Sequence, residues 1–179
     1  MQRIFIGIPV DARAQHHINC LLKPLKESHP DLRWVPENNR HLTLAFLGDV
    51  PLSTVENLVD LLDETYRGKK CSRLSLTRLT RFPEPNSKII ALTGEPDRSL
   101  DRLLYATSRL LQSNDQPEDP REFLPHVTLA RFGRKKGAKI AVDQPVNIKL
   151  EVTDIRLYQS VLTESGPIYS VLKESKLVF

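Results

Sequence analysis

The chain has 179 residues, 40% hydrophobic and 27% charged, which excludes a disordered chain and suffices for one well-buried core or a two-lobed one. Its net charge of +4 leans toward an anionic partner, and its longest apolar runs fall far short of a membrane span. Cys20 and Cys71 lie far apart without metal-ligand spacing, which predicts two free, buried thiols and no disulfide.

"RIFIGIP" alternates and predicts a strand with Ile4, Ile6 and Ile8 on one face. The chain reaches Asp11 before any signal-like apolar core forms, so the expected compartment is the cytoplasm. Asp11 then reads as the cap of a helix with Ile18, Leu21, Leu22 and Leu25 as its apolar stripe. "HLTLAFLG", from residue 41, is the next strand; Ser53 and Glu56 after it resemble a capping box ahead of Val55, Leu58, Val59 and Leu62. "SRLSLTRLTRF" and "SKIIALTG", joined by the turn-rich "PEPN", predict an antiparallel hairpin. A third helix runs from about Asp97 with Leu100, Leu103, Leu104, Leu110 and Leu111 buried, and Asn114 to Pro120 ends it. "FLPHVTLARFG" is a strand followed by a basic loop. The chain closes with the strand-like "VNIKLEVTDIRLYQSVL" and "IYSVLKESKLVF", turned by "TESG". In the first of these, Ile148, Leu150 and Val152 are out of phase with Ile155 and Leu157, which predicts a bulge or bend near Thr153 and Asp154.

"HLTLAF" at 41 and "HVTLAR" at 126 are near copies, 85 positions apart (126 less 41), a spacing that suggests a duplicated lobe and not a solenoid. In a strand, His41 and Thr43 share one face while Leu42 and Leu44 take the other, and His126 and Thr128 stand against Val127 and Leu129 in the same way. If the apolar faces pack beneath helices, two imidazoles and two hydroxyls converge on a shared groove. Packing alone would preserve the apolar positions and has little reason to repeat the histidine. Two histidines across a groove suit phosphodiester chemistry: one takes a proton from the attacking oxygen and the other gives one to the departing oxygen. The threonines would hydrogen-bond the non-bridging oxygens, in place of a metal. The other histidines give no metal-ligand pattern: His16 and His17 are adjacent and read as solvated, and His29 is isolated in a loop.

The paired motifs "HLTL" and "HVTL", with "RIFIGIP", "FLPHVTLAR" and the closing "LYQSVLTESGPIYSVL", resemble the 2H phosphoesterase superfamily. They resemble more closely its RNA 2',3'-cyclic phosphodiesterases, also called 2'-5' RNA ligases. The resemblance covers nearly the whole chain as a single 1–179 domain. It implies an α+β, bilobal duplicated fold: each lobe an antiparallel sheet with helices on its outer face, and the active site in the cleft between lobes. It implies that His41, Thr43, His126 and Thr128 are catalytic, the four that strand alternation had already grouped. The implied reaction is hydrolysis of an RNA 2',3'-cyclic phosphate to a 2'-phosphate, with reversal as a 2'-5' ligation that uses no nucleotide cofactor. We assign His126 as proton acceptor and His41 as proton donor, although the near symmetry of the motifs leaves that order open.

Phe46 and Arg131 are repeat-equivalent, each five residues after its histidine, and the resemblance suggests that they contact the substrate base or phosphate. An odd offset in an unbroken strand opposes this, because it points Phe46 to the core. Arg78, Arg81 and the run "RFGRKKG", with Arg134, Lys135 and Lys136, offer basic side chains to an RNA backbone or simply a solvated surface. The expected partners are RNA ends, tRNA-like or other, with no membrane, no cofactor and a monomeric chain. The competing readings are a related enzyme acting on 2'-5' oligonucleotides or small cyclic nucleotides, and a non-catalytic module that binds RNA ends.

Overall fold

The computed structural model describes residues 1–117, 119–133, 142–164 and 166–179. Strand β1 (Gln2–Pro9) leads into helix α1 (Ala12–Ser28). Asp11 caps that helix as expected, its carboxylate accepting from the Arg13 and Ala14 N–H groups at 2.9 and 3.0 Å. The other carboxylate oxygen accepts from the Glu151 N–H at 2.9 Å and ties the start of the helix to a distant strand. A short strand β2 (Arg33–Trp34) and a 3-10 turn at Glu37–Asn39 precede β3 (His41–Val50). Helix α2 (Leu52–Tyr66) begins on Pro51, not on a Ser53 capping box. Proline fixes the φ of −60° that the entry needs, and its carbonyl accepts from Val55 N–H at 3.2 Å, so Ser53 already lies inside the first turn.

Strands β4 (Ser72–Phe82) and β5 (Ile89–Thr93) form the expected hairpin, and α3 (Arg98–Gln112) starts where Asp97 accepts from Ser99 and Leu100 N–H, both at 2.9 Å. Then come β6 (His126–Arg131), β7 (Asp143–Val152), β8 (Asp154–Thr163) and β9 (Gly166–Lys176). The phase change at Thr153 is more than a bulge. There the chain leaves β7, which pairs with β4, and enters β8, which pairs with β1 and β9. Asp154, 4% exposed, is held at this crossing by Arg156 Nε at 2.7 Å and by the Thr153 hydroxyl at 3.0 Å.

The nine strands form one antiparallel sheet in the order β7-β4-β5-β6-β3-β1-β8-β9, with β2 paired off this path to β6. The fold is α+β. β1 and β5 each lead through a helix to a motif strand, β3 and β6, and these two lie side by side at the centre, dividing the order into the quartets β7-β4-β5-β6 and β3-β1-β8-β9. Among the described residues the two quartets meet through the pair Leu42↔Val127, so both histidine motifs lie at the seam. A single hydrophobic cluster draws on both quartets and all three helices, including Ile4, Ile18, Leu42, Leu58, Leu103 and Val127. Both cysteines are free, but neither is buried as expected: Cys20 is exposed on α1 beside His16, and Cys71 is half-buried. Among the described residues no helix is long and apolar enough to cross a membrane.

Candidate active site

Leu42, Leu44, Val127 and Leu129 are buried in the cluster, at 0 to 7% exposure, whereas His41, Thr43, His126 and Thr128 are only half-buried. Alternation therefore sorts the two motif strands as expected, and their juxtaposition at the seam brings the four polar side chains onto one face.

Beyond the motifs the strands break alternation, and they do so at equivalent points. The β1–β3 register slips between Ile6 and Gly7, leaving Leu44 unopposed, and the β5–β6 register slips between Ile90 and Ala91, leaving Leu129 unopposed. Each bulged leucine lies three residues after its histidine. A bulge lets two successive side chains point into the core, and Leu129 and Ala130 are both 0% exposed. The next residue then returns to the histidine face, so Phe46 pairs with Phe5 and Arg131 with Ile89. Phe46 is 56% exposed, with the Arg3 guanidinium 5.0 Å above its ring, so it is not core. The odd offset that opposed a substrate role for these two residues is thus cancelled by the fold.

Each histidine is held in the same way. His41 Nδ1 lies 2.8 Å from the Asn39 carbonyl, and His126 Nδ1 lies 2.8 Å from the Leu124 carbonyl. A carbonyl can only accept, so Nδ1 carries the hydrogen in both rings and Nε2 presents a lone pair. His41 stacks on Phe5 at 4.5 Å and meets the edge of Tyr169 at 5.3 Å, while His126 stacks on Phe82 at 3.9 Å. Gly7 leaves room for this packing: a Cβ there would come within 3.4 Å of His41 Cδ2 and 3.0 Å of the Leu42 carbonyl oxygen.

Burial pushes His41 down to about 4; the Asn39 carbonyl opposes this, and the charges of His126 and Arg131 add to it. His126 is also lowered by burial, opposed by the Leu124 carbonyl and reinforced by Arg131. Both rings are neutral near pH 7. These interactions put His41, His126 and Arg131 in one electrostatic cluster, and Arg131 also acts on the Tyr169 hydroxyl.

Thr43 and His126 open onto a cavity of about 790 Å³, walled also by Phe46, Phe82, Tyr105 and Leu124. Arg131 lines a smaller neighbouring hollow of about 380 Å³; His41 and Thr128 line neither. Among the described residues no three His, Cys, Asp or Glu side chains gather as a metal-ligand set. Arg78 is paired with Asp143, and Arg81 donates to the Ser87 and Asn86 carbonyls, so both candidate RNA contacts have internal partners. Arg134, Lys135 and Lys136 lie outside the described residues. Phe5, Phe82 and Tyr169 are the site residues that sequence reasoning missed. Phe5 and Tyr169 lie in the opening and closing stretches that carry the resemblance, whereas Phe82 had no such signal.

The LigT like Phosphoesterase family model matches residues 8–91, which hold the first histidine motif. An RNA 2',3'-cyclic phosphodiesterase of Aeropyrum pernix is 34% identical over 163 residues, covering 81% of this chain and 86% of that protein. The protein of the same name from Methanothermobacter thermautotrophicus is 25% identical over 98% of both chains. E. coli LigT, in its crystal structure with 3'-AMP, superposes with a TM-score of 0.75 at 26% identity, over 99% of this chain and 98% of that one. About a third of the aligned residues are shared with a relative matched over most of both chains, and the backbone follows that of E. coli LigT; the chain belongs to the LigT-like phosphoesterases of the 2H superfamily.

Proposed function

We propose that the chain hydrolyses RNA 2',3'-cyclic phosphate ends to 2'-phosphates without a metal, by acid–base catalysis between His41 and His126. The observation that carries this reading is the matched pair of imidazoles, each with Nδ1–H fixed on a backbone carbonyl and Nε2 left with its lone pair. His126 Nε2 takes the proton of the attacking water; His41 Nε2 delivers one to the 3' oxygen as its bond to phosphorus breaks. Each role contributes on the order of a hundredfold to ten-thousandfold in rate. His41 is neutral in the free protein, so it acquires the proton it donates only beside the phosphodiester anion, which favours the imidazolium. Thr43 and Thr128 hydroxyls hydrogen-bond the non-bridging oxygens, and Arg131 adds a positive charge to the same side of the cluster. Phe46 offers an exposed aromatic face to the base, a contact worth roughly 1 to 3 kcal/mol.

The names of the relatives and the 3'-AMP held by E. coli LigT support a nucleotide monoester or cyclic ester at an RNA terminus as the ligand. The cavity volume lies within the range that takes a small-molecule ligand. With a 5' ribose hydroxyl in place of water as the attacking group, the same pair in the same roles would form a 2'-5' linkage as the 3' oxygen leaves; cleavage of that linkage by the 3' hydroxyl would exchange the roles.

The test separates acid from base through the leaving group. His41→Ala is expected to lose turnover of a 2',3'-cyclic nucleotide yet keep much of its activity on a nucleoside 4-nitrophenyl phosphodiester, whose leaving group needs no proton. His126→Ala is expected to fail on both. The opposite pattern would exchange the two roles, and full activity of either variant on the cyclic nucleotide would end the reading.

A further inference from the structure

Arg40 immediately precedes His41, and alternation sends its side chain to the other face, where it is 3% exposed. Its Nε donates to the Val35 carbonyl at 3.3 Å, and one terminal nitrogen donates to Gln15 Oε1 and Asn19 Oδ1 of α1, both at 2.8 Å. The nitrogen ends of the same two amides reach Glu37: Gln15 Nε2 donates to its carbonyl and Asn19 Nδ2 to its carboxylate, each at 2.7 Å. The turn from Glu37 to Arg40 is therefore fastened to α1 at both ends. Between those ends is Asn39, whose carbonyl accepts the His41 Nδ1–H and whose side chain donates to the Pro167 carbonyl of β9 at 2.8 Å.

A guanidinium buried on neutral acceptors is an expensive way to stabilise a turn. Burial lowers its pKa, and the nearby Glu37 charge only partly opposes this. The other half of the fold solves the same problem differently. The position equivalent to Arg40 is Pro125, whose ring stiffens the backbone just after the Leu124 carbonyl that holds His126. The first half places its stiffening in a side-chain network.

We propose that Arg40 is a positioning residue for His41: by locking the Glu37–Arg40 turn to α1 it fixes the Asn39 carbonyl, and through it the tautomer and orientation of the imidazole. This rests on His41 being a catalytic group, but its first readout does not depend on turnover.

The experiment is nitrogen-15 NMR of histidine-labelled protein at neutral pH, paired with steady-state kinetics on a 2',3'-cyclic nucleotide. In the wild type, His41 and His126 are both expected as the Nδ1–H tautomer. In Arg40→Met, His41 is expected to shift to a tautomer mixture while His126 is unchanged. The kcat is expected to fall by up to about a hundredfold, the scale of a small misplacement of a reacting group, with little change in KM. Arg40→Lys restores part of both readouts. A folded Arg40→Met with the wild-type His41 tautomer and kcat would overturn the proposal. If that variant does not fold, Asn19→Ala, which removes one acceptor, is expected to shift His41 in the same direction by less, and an unmoved His41 signal would overturn the proposal equally. If the wild type turns over no cyclic phosphate, the proposed function fails, while the tautomer of His41 still decides the role of Arg40.

Discussion

His41 illustrates how one side chain couples stability to chemistry. Its folded pKa of about 4 lies below the ordinary 6.5 because the ring is sealed between aromatic side chains. As pH falls below 6.5, the unfolded chain binds a proton that the folded chain refuses until about 4. The contribution of His41 to folding stability is therefore level above 6.5 and declines as pH falls through that window. Urea melts at pH 7 and pH 4.5 are expected to show the decline, and His41→Phe to reduce it; an unchanged slope would contradict the assigned environment. The same depression governs activity. The free-enzyme pKa values of both histidines lie below 6.5, so kcat/KM for a cyclic nucleotide is expected to fall from mildly acidic pH upward, as the acid form is depleted. Arg131→Ala is expected to raise KM more than it lowers kcat, which steady-state kinetics would read directly. The four motif residues were legible in the sequence because the motif occurs twice. The face on which Phe46 and Arg131 lie was not legible from alternation, because a bulge is a backbone event that leaves no mark in composition or periodicity.

Among the elements, the two bulged strands shape the site most. Equivalent slips at Leu44 and Leu129 let one short motif present three side chains to one face, His-x-Thr plus the residue at the fifth place, where plain alternation would turn that third residue inward. The cap at Asp11 was readable from residue type, and the start of α3 near Asp97 from its apolar stripe, where the structure shows a second aspartate cap. Ser53 misled because Pro51 had already set the entry angle of α2. The crossing at Thr153 was legible only as a phase change, since pairing partners are a tertiary property. Gly94, just after β5, supports the same region: a Cβ there would lie 2.1 Å from the Ser75 carbonyl oxygen, and its N–H donates to the Pro125 carbonyl beside His126. Gly94→Ala is expected to destabilise the fold by about 1 to 3 kcal/mol or more through backbone displacement. A thermal melt within a degree of the wild type would refute this.

At the scale of the whole molecule, the strand order sets the two motif strands side by side at the centre of the sheet. Two copies of one strand meet at the seam, so each quartet supplies an imidazole, a hydroxyl and a stacked aromatic to a common face. The equivalent positions differ, Phe46 against Arg131 and Arg40 against Pro125, so the two sides of that face are not chemically alike. The most direct test of this account incubates the purified chain with excess chelator and a 2',3'-cyclic nucleotide, then locates the product phosphate by phosphorus NMR. The account predicts undiminished turnover to the 2'-phosphate; a strict metal requirement, or a 3'-phosphate as the product, would contradict it.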